Sequence, residues 1–248
     1  MRGAKAGGSR RFFYLALLLM LALGAGAISW AMNRTKASSV MTIDPKAAVG
    51  IKAEGHMLGS AGAPVEIVEF ADFECPGCGQ FATVTEPDVR QRLVNTGQAR
   101  FHIFPFQVSQ SHQNSVAAAL TAECAADQNK FWEMHDKLFA GQADWSSLYT
   151  PGKDPRPVID RYVKEIGLDQ AAFNACFSER RHLNTIAANT EEAMRQKVQS
   201  TPTLIIGDKM LSGAQPYDVI KAAVDSARAK AGTPTAPPAA TPADTTKK

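Results

Sequence analysis

The hydrophobic and polar positions divide the chain into an apolar leader, an aperiodic stretch, a region of mixed periodicity and a tail of small residues. Residues 12–32 carry no charge, and residues 33–54 show no sustained period. Residues 55–231 alternate between the two-residue periods typical of strands and the longer periods typical of helices. Residues 232–248 are rich in Pro, Ala and Thr and cannot bury enough apolar surface to fold. We therefore predict one folded domain over 55–231, with a spacer before it and a disordered tail after it.

Strand and helix periods follow one another in a definite order within this domain. The first unit has a strand at 65–70, a helix that begins at Pro76 and a second strand at 100–104. Helical periods then continue from 111 to 198. Strand patterns return at 203–211 and are followed by a last amphipathic helix. The predicted order is βαβ, a helical block, and ββα.

The leader also accounts for the net charge of +3. Six of the 27 Lys and Arg residues lie within residues 1–36, which contain no acid, so the rest of the chain has slightly more acidic than basic residues. Since no basic surface remains to hold phosphates, the composition argues against nucleic acid as a partner.

The N-terminus has the features of an export signal. Four basic residues within 1–11 precede the uncharged run at 12–32, and a basic segment before an apolar one directs export with its basic end in the cytoplasm. The run could span about 30 Å of hydrocarbon, but Ala25-Gly26-Ala27 also resembles a cleavage site. We predict a cytoplasmic n-region and a single-pass signal anchor in the cell membrane, with a cleaved signal peptide as the alternative. Either way, the domain lies on the periplasmic or extracellular side.

A CxxC motif, Cys75-Pro76-Gly77-Cys78, lies where a strand gives way to a helix. Two cysteines three residues apart share one face of a helical turn and can form a disulfide. The free N–H groups and the dipole at a helix start favour a thiolate, so we predict Cys75 as the nucleophile and Cys78 as the resolving thiol. A purely structural disulfide and half of a zinc site are the alternatives, although no second CxxC or paired histidine supports a metal.

The motif and its surroundings resemble the DsbA-like family of the thioredoxin superfamily. The resemblance rests on the sequence EFADFECPGC at 69–78, on the helical block, and on Thr201 and Pro202, which resemble the cis-proline loop of that family. It extends over about residues 55–230. It implies a thioredoxin-like α/β fold, in which a central mixed β-sheet is flanked by helices and a helical block is inserted at about 111–198. It also implies that Pro202 is a cis residue and that Thr201 presents its backbone to an extended substrate.

Acidic residues occupy positions 69, 72 and 74 just before the motif. The resemblance implies that Glu69 is a buried acid that transfers the proton of the resolving thiol, as a carboxyl group with a raised pKa can do. Glu66 and Glu69 cannot lie on the same face of a regular strand, so at least one faces inward or the strand is bent. We interpret Asp72 and Glu74 as solvated loop acids.

Cys124 and Cys176 are the other two cysteines of the chain, and each lies in a predicted helix. Because the CxxC pair closes locally, these two remain for each other, and we predict a structural disulfide between them. Such a bridge suits an exported domain, since disulfides persist in oxidising compartments. Two buried free thiols are the alternative.

These features predict a monomeric, membrane-tethered protein thiol oxidase without a bound cofactor or metal. A thiolate of a reduced, unfolded exported protein attacks the Cys75–Cys78 disulfide at Cys75, and a second substrate thiol resolves the mixed disulfide. The resemblance implies a membrane reoxidant of the DsbB or VKOR-like type. The dipeptide between the cysteines is Pro-Gly, whereas the best-known oxidants of the family have Pro-His, so the direction is inferred from the compartment.

Two other functions stay open. A disulfide isomerase or reductase, kept reduced by a membrane electron donor, would use the same two cysteines. A tethered binding or chaperone module would use the CxxC only as a structural disulfide.

Overall fold

The computed structural model describes most of the chain: residues 9–35, 40–44, 48 and 50–232. The predicted n-region and spacer lie partly outside these residues, and the predicted tail lies almost wholly outside them. The chain divides into two compact units, Met1–Val40 and Met41–Lys248.

In the first unit, helix α1 (Ser9–Thr35) covers the apolar leader. Long apolar side chains such as Phe12, Leu15 and Leu18 are exposed on it. Among the described residues, however, none of the helices combines the length and the hydrophobicity needed to cross a bilayer. The prediction of a transmembrane anchor at 12–32 is therefore not supported.

A five-stranded mixed sheet forms the centre of the second unit, in the order β1-β3-β2-β4-β5. The strands are β1 (His56–Leu58), β2 (Glu66–Ala71), β3 (Arg100–Pro105), β4 (Thr203–Ile206) and β5 (Lys209–Ser212). The central strand, β2, pairs parallel with β3 and antiparallel with β4, and all other pairs are antiparallel. Strand β1 was not predicted, because three residues are too few to display a period.

Both faces of β2 are covered by apolar side chains. Ile67 and Ala71 belong to the larger core. On the opposite face, Phe70 stacks on Phe104 with ring centroids 5.3 Å apart in a smaller core. Since successive side chains of a strand alternate between faces, Glu69 shares the face of Ile67 and Ala71. The strand thereby carries a carboxyl group into the larger core.

The helical stretch after β2 is interrupted by two π turns. Its segments are, in order, α2 (Pro76–Gln80), a π turn over Phe81–Thr85, α3 (Glu86–Val89) and a π turn over Arg90–Val94. Pro87 has no N–H to donate to the preceding turn, and the Thr83 hydroxyl donates to the carbonyl of Gly79 at 2.7 Å. The missing N–H and this hydroxyl bond account for the wider π turn over Phe81–Thr85. Such π turns are frequent at functional sites.

Six helices lie between β3 and β4 and form the inserted block. They are α4 (Ser115–Ala126), α5 (Phe131–Ala140), α6 (Gln142–Trp145), α7 (Arg156–Glu165), α8 (Gln170–Glu179) and α9 (Leu183–Arg195), and α10 (Tyr217–Lys230) follows the sheet. The helical pattern is interrupted after α4 near Asn129, which has a left-handed φ of 59°. The predicted fold class, a thioredoxin-like α/β fold with a mixed sheet and a helical insertion, is confirmed.

A disulfide joins Cys124 on α4 to Cys176 on α8, with their Cα atoms 5.8 Å apart. Both residues are buried within the larger core. The bridge links two helices of the insertion across a sequence separation of 52 residues.

Reduction of the Cys124–Cys176 bridge should lower the free energy of unfolding by about 2–4 kcal/mol, because the unfolded chain regains the freedom that the closed loop removes. Urea unfolding of a Cys75→Ser/Cys78→Ser variant with and without reductant measures this change, since the bridge is then the sole redox pair. The same variant carrying Cys124→Ala and Cys176→Ala should show no effect of reductant. An unchanged midpoint on reduction would contradict a stabilising role.

Candidate active site

The CxxC motif lies directly beyond β2, at the start of α2. Cys75 precedes the helix and Pro76 is its first residue, where the missing N–H of proline has no helical partner to lose. The N–H of Gly79 donates to the carbonyl of Cys75 at 3.1 Å and closes the first turn. Cys75 is 9% exposed and Cys78 is fully buried, and both are free thiols. Only Cys75 is therefore within reach of a substrate.

The pKa of Cys75 is lowered from its ordinary value to about 6. The largest cause is the hydrogen bond from the Cys78 thiol, and the backbone of Gly77 and Cys78 also stabilises the thiolate. Partial burial acts in the opposite direction but is outweighed. Near neutral pH the reduced protein therefore carries a thiolate at Cys75.

Cys78 has the opposite character. Burial raises the pKa of its thiol well above the ordinary value, and the neighbouring Cys75 and Glu69 raise it further. Cys78 consequently keeps its proton, which it can donate to the Cys75 sulfur. The two sulfurs of one helical turn thus differ, since Cys75 favours the thiolate and Cys78 the thiol.

Glu69 lies on the inward face of β2, with 1% of its surface exposed. Neither carboxylate oxygen has a hydrogen-bond partner in the described part of the chain. Burial, and then the charge of Glu86, raise the pKa of Glu69 well above its ordinary value. Glu66, by contrast, faces the other side and pairs with Arg100 at 2.5 Å. Glu69 therefore favours its neutral, protonated form.

Thr201 and Pro202 lie against the CxxC turn, and the peptide bond between them is cis. The protonated Cys75 thiol donates to the Thr201 carbonyl oxygen at 3.3 Å. A Cβ atom at Gly77 would lie 3.4 Å from both Pro202 Cδ and the Thr201 carbonyl oxygen, so the motif packs closely on this loop. The structure thus brings Thr201, Pro202 and Cys75 together.

Asp72 is fully buried, so its interpretation as a solvated loop acid is wrong. One carboxylate oxygen accepts a hydrogen bond from the N–H of Glu74 at 2.9 Å. The other accepts from the N–H of Val108 at 3.0 Å and pairs with Nδ1 of His112 at 2.8 Å. The pKa of His112 is raised, chiefly by this bond to Asp72 and also by the charges of Asp72, Cys75 and Glu74. Asp72 therefore fixes the loop that leads into the motif.

Glu74 is also fully buried, and the same interpretation is wrong for it. Its carboxylate accepts hydrogen bonds from the N–H of Asn114 at 2.7 Å and from the hydroxyl of Ser146 at 3.1 Å. The N–H and hydroxyl of Ser147 donate to it as well. These donors come from segments distant in sequence, which is why local composition could not predict the burial.

Gln142 is a further residue of the site that sequence reasoning missed. Its side-chain amide donates to the carbonyl oxygens of Phe73 at 2.7 Å and of Cys75 at 2.9 Å. A single glutamine in the helical block carries no sequence signal for such a role. His112 was missed for the same reason.

The predicted structural cysteines, Cys124 and Cys176, lie in the inserted block and not at the CxxC.

A possible group of metal ligands lies in the same block. Asp127, Cys176 and His182 have potential ligand atoms within 4.8 Å of one another. The Cys176 sulfur is bonded to Cys124, however, and a disulfide sulfur is not a thiolate ligand. This cluster therefore does not form a metal site.

Comparison with protein families finds a match over residues 52–226 to a family described as Thioredoxin. Among curated proteins, the Na(+)/H(+) antiporter NhaA 3 of Salinispora tropica is 32% identical over 228 residues, which cover 86% of this chain and 33% of that protein. Disulfide bond formation protein D of Bacillus subtilis is 29% identical over 178 residues, covering 68% of this chain and 75% of that protein. The chain spans about a third of the length of the antiporter relative.

Among solved structures, alpha-DsbA1 of Wolbachia pipientis has a TM-score of 0.63 to this chain at 18% identity. The match covers 75% of this chain and 97% of that protein. At this identity the likeness concerns the fold, including the helical insertion.

In the reduced protein we expect the Cys75 thiol to titrate with a midpoint near pH 6. The pH dependence of alkylation by iodoacetamide measures this midpoint. Cys78→Ala removes the hydrogen-bond donor and should raise the midpoint, whereas Cys78→Ser retains a hydroxyl donor and should raise it less. A wild-type midpoint near pH 9 would contradict the expected hydrogen bond from the Cys78 thiol to the Cys75 thiolate.

This titration also affects stability. The pKa of Cys75 is lower in the folded than in the unfolded chain, so the thiolate stabilises the reduced fold fully above the unfolded-state value, and this contribution is lost as the pH falls through about 6.

Glu74→Gln should lower the free energy of unfolding by about 1–3 kcal/mol, because the amide group that replaces one oxygen faces a donor and leaves it unpaired. Glu165→Gln, at a largely exposed helix position, is the matched control and should change stability by less than about 0.5 kcal/mol. Urea unfolding of both variants makes the comparison. Equal effects at the two positions would argue against the buried network.

Proposed function

Because the chain belongs to the thioredoxin family, as a DsbA-like thiol–disulfide oxidoreductase, we propose that it acts as a thiol oxidase that introduces disulfides into exported proteins. The observation that carries this proposal is the placement of the two cysteines: Cys75 is partly exposed at the start of α2, and Cys78 is fully buried behind it. These surroundings lower the pKa of Cys75 to about 6 and raise that of Cys78. A disulfide whose accessible sulfur leaves as a stable thiolate is the stronger oxidant, because the thiolate stabilises the reduced form.

The reaction begins when a substrate thiolate attacks Cys75 Sγ of the Cys75–Cys78 disulfide. The bond between the two cysteines breaks, a mixed disulfide forms, and the Cys78 sulfur takes up a proton from Glu69. A second substrate thiolate then attacks the substrate sulfur of the mixed disulfide. The substrate leaves with a disulfide, Cys75 leaves as a thiolate, and the enzyme has gained two electrons.

Thr201 and Pro202 are the proposed contacts for the substrate backbone during this exchange. They lie next to the one cysteine that is partly exposed, and the Thr201 carbonyl oxygen is 3.3 Å from its sulfur. A carbonyl at this position can accept a hydrogen bond from an extended segment, which holds the substrate sulfur in line with the disulfide.

The proposed substrates are reduced, unfolded proteins outside the cytoplasm, and the proposed reoxidant is a membrane oxidase of the DsbB or VKOR-like type. The buried Cys124–Cys176 disulfide supports an oxidising compartment, since such bridges are rare in the cytosol. The name of the Bacillus subtilis relative, Disulfide bond formation protein D, supports the reaction class. Because electrons pass from sulfur to sulfur, the proposed reaction requires neither a metal nor a bound cofactor.

The antiporter name of the other relative is not extended to this chain. The match covers a third of that protein, and the thioredoxin-like unit at residues 52–226 accounts for most of the chain's own length.

The redox equilibrium of the full chain with glutathione tests the proposed direction. We expect a potential above about −200 mV, in the range of oxidants, together with faster disulfide formation in a reduced, unfolded test protein. Cys75→Ser should abolish both, whereas Cys124→Ala/Cys176→Ala should leave the exchange in place. A potential near about −270 mV would point instead to a reductase that needs an electron donor. A CxxC that never equilibrates would overturn the catalytic role.

A further inference from the structure

A cluster of buried polar groups without hydrogen-bond partners lies beneath the CxxC. It consists of both carboxylate oxygens of Glu69, Oε2 of Glu86 and Nε2 of His135, all within the part of the chain that the structure describes. Glu69, Glu86 and His135 are each at most 1% exposed. An unpaired buried polar group costs on the order of 1–3 kcal/mol, so three residues of this kind in one place indicate a use beyond packing.

We propose that Glu86, His135 and Asp136 form a proton path that connects Glu69 with solvent. This inference deepens the proposed function and rests on it, since the path serves the resolving thiol of the same exchange. Glu86, His135 and Asp136 do not touch the reacting sulfurs, so they act as positioning and proton-transfer residues.

The resolving thiol creates the need for such a path. When the Cys75–Cys78 disulfide opens, the Cys78 sulfur leaves with an electron pair and must gain one proton, and when the disulfide closes it must lose one. Cys78 is fully buried, so no water reaches it directly. Glu69 can give one proton to Cys78, but it must then recover a proton before the next cycle.

Glu86 is the next group along the path. It is buried at the start of α3, and its charge raises the pKa of Glu69 more than any other charge does. Because the charge of Glu86 disfavours a negative charge on Glu69, a proton that Glu69 has given up is readily regained. Arg90 donates to Oε1 of Glu86 at 2.6 Å, which leaves Oε2 facing His135.

His135 faces Glu86 with one ring nitrogen and Asp136 with the other. Nε2 lies 3.7 Å from Oε2 of Glu86, so transfer requires an approach of somewhat less than 1 Å to reach hydrogen-bonding distance. Nδ1 lies 2.8 Å from a carboxylate oxygen of Asp136 and 3.1 Å from Nη2 of Arg90.

These two contacts at Nδ1 exclude each other. Arg90 can only donate and the Asp136 carboxylate can only accept, so Nδ1 either lacks or carries a hydrogen. When Nδ1 lacks a hydrogen, the ring carries it on Nε2, where it points toward Glu86. When Nδ1 carries the hydrogen, Nε2 has a free lone pair that points toward Glu86. Each tautomer of the ring therefore has a partner at Nδ1, either Arg90 or Asp136. A proton that enters at one ring nitrogen and leaves from the other converts the first tautomer into the second.

The outer end of the path opens to solvent. A cavity of about 320 Å³ lies there and is lined by Ala82, Thr83, Pro87, Arg90, Asp136, Phe139 and Ala140. The side chain of Asp136 is 58% exposed. Arg90 joins the two ends, since it binds both Glu86 and Asp136 and also lies over the ring of Trp132 at 4.7 Å.

Among the described residues, the charged groups that influence Glu69 are Glu86, Arg90 and the two reactive cysteines. Glu86, in turn, is paired with Arg90 and approached by His135. The direction of transfer is inward when the disulfide opens and outward when it closes, with one proton moved for each Cys78 sulfur released or bonded.

The test is the rate at which dithiothreitol opens the Cys75–Cys78 disulfide, measured in the full chain by stopped-flow tryptophan fluorescence. Glu86→Gln and His135→Gln should slow opening by about tenfold or more at neutral pH. Small acids such as formic acid and imidazolium in the buffer should restore part of the rate, and the solvent isotope effect should rise. Neither response is expected from a variant that merely loosens packing.

Two further variants make the result unambiguous. Glu123→Gln alters another buried carboxyl next to a histidine, 3.0 Å from His56, and should leave the rate unchanged. Asp136→Asn changes a residue whose side chain is 58% exposed, so a slower rate that buffer acids restore would support the path even if Glu86→Gln fails to fold.

Wild-type rates in folded Glu86→Gln, His135→Gln and Asp136→Asn would overturn the path. That outcome is distinct from a failure of the proposed function, because a wild-type chain that does not exchange with glutathione would already have shown the latter. If the wild type exchanges and the variants are as fast, only the path is wrong.

Discussion

The hydrogen bond from the Cys78 thiol to the Cys75 sulfur is the interaction on which the site depends. It decides which sulfur is the thiolate, and it requires that the other keep its proton. Burial of Cys78 raises the pKa of its thiol and so keeps the proton in place. A buried thiol, however, can exchange its proton only with an acid that lies nearby. In the proposed exchange Glu69 supplies this acid, and neither of its carboxylate oxygens has a hydrogen-bond partner among the described residues.

The inserted helical block is part of the site and not only a cover for the sheet. Gln142 on α6 holds the carbonyl of Cys75, and Asn114 and Ser147 hold the carboxylate of Glu74. His135 on α5 approaches Glu86 from the same block. The strand and helix of the thioredoxin-like core therefore supply the sulfurs, whereas the insertion supplies most of the hydrogen bonds that fix their loop.

Much of this arrangement could be predicted from the sequence because its signals are local. Alternation over 65–70, a proline at the start of a helix and two cysteines three residues apart identify β2, α2 and the reactive pair without tertiary information. The burial of Asp72 and Glu74 could not be predicted, since all but one of their hydrogen-bond donors lie 36 to 73 residues away along the chain. The same limit hid Gln142 and the pairing of His112 with Asp72, and the three residues of β1 were too short to show a period.

The acidity of Cys75 gives the two redox forms of this protein different surface charges. Near neutral pH the reduced form bears a negative sulfur at a partly exposed position, and the oxidised form bears none. His112 senses the difference, because the Cys75 charge is one of the contributions that raise its pKa. Oxidation removes that contribution, so the imidazole holds its proton less tightly once the disulfide has formed. A protein that docks over this loop therefore meets a different charge on the reduced and on the oxidised form before any sulfur atoms touch.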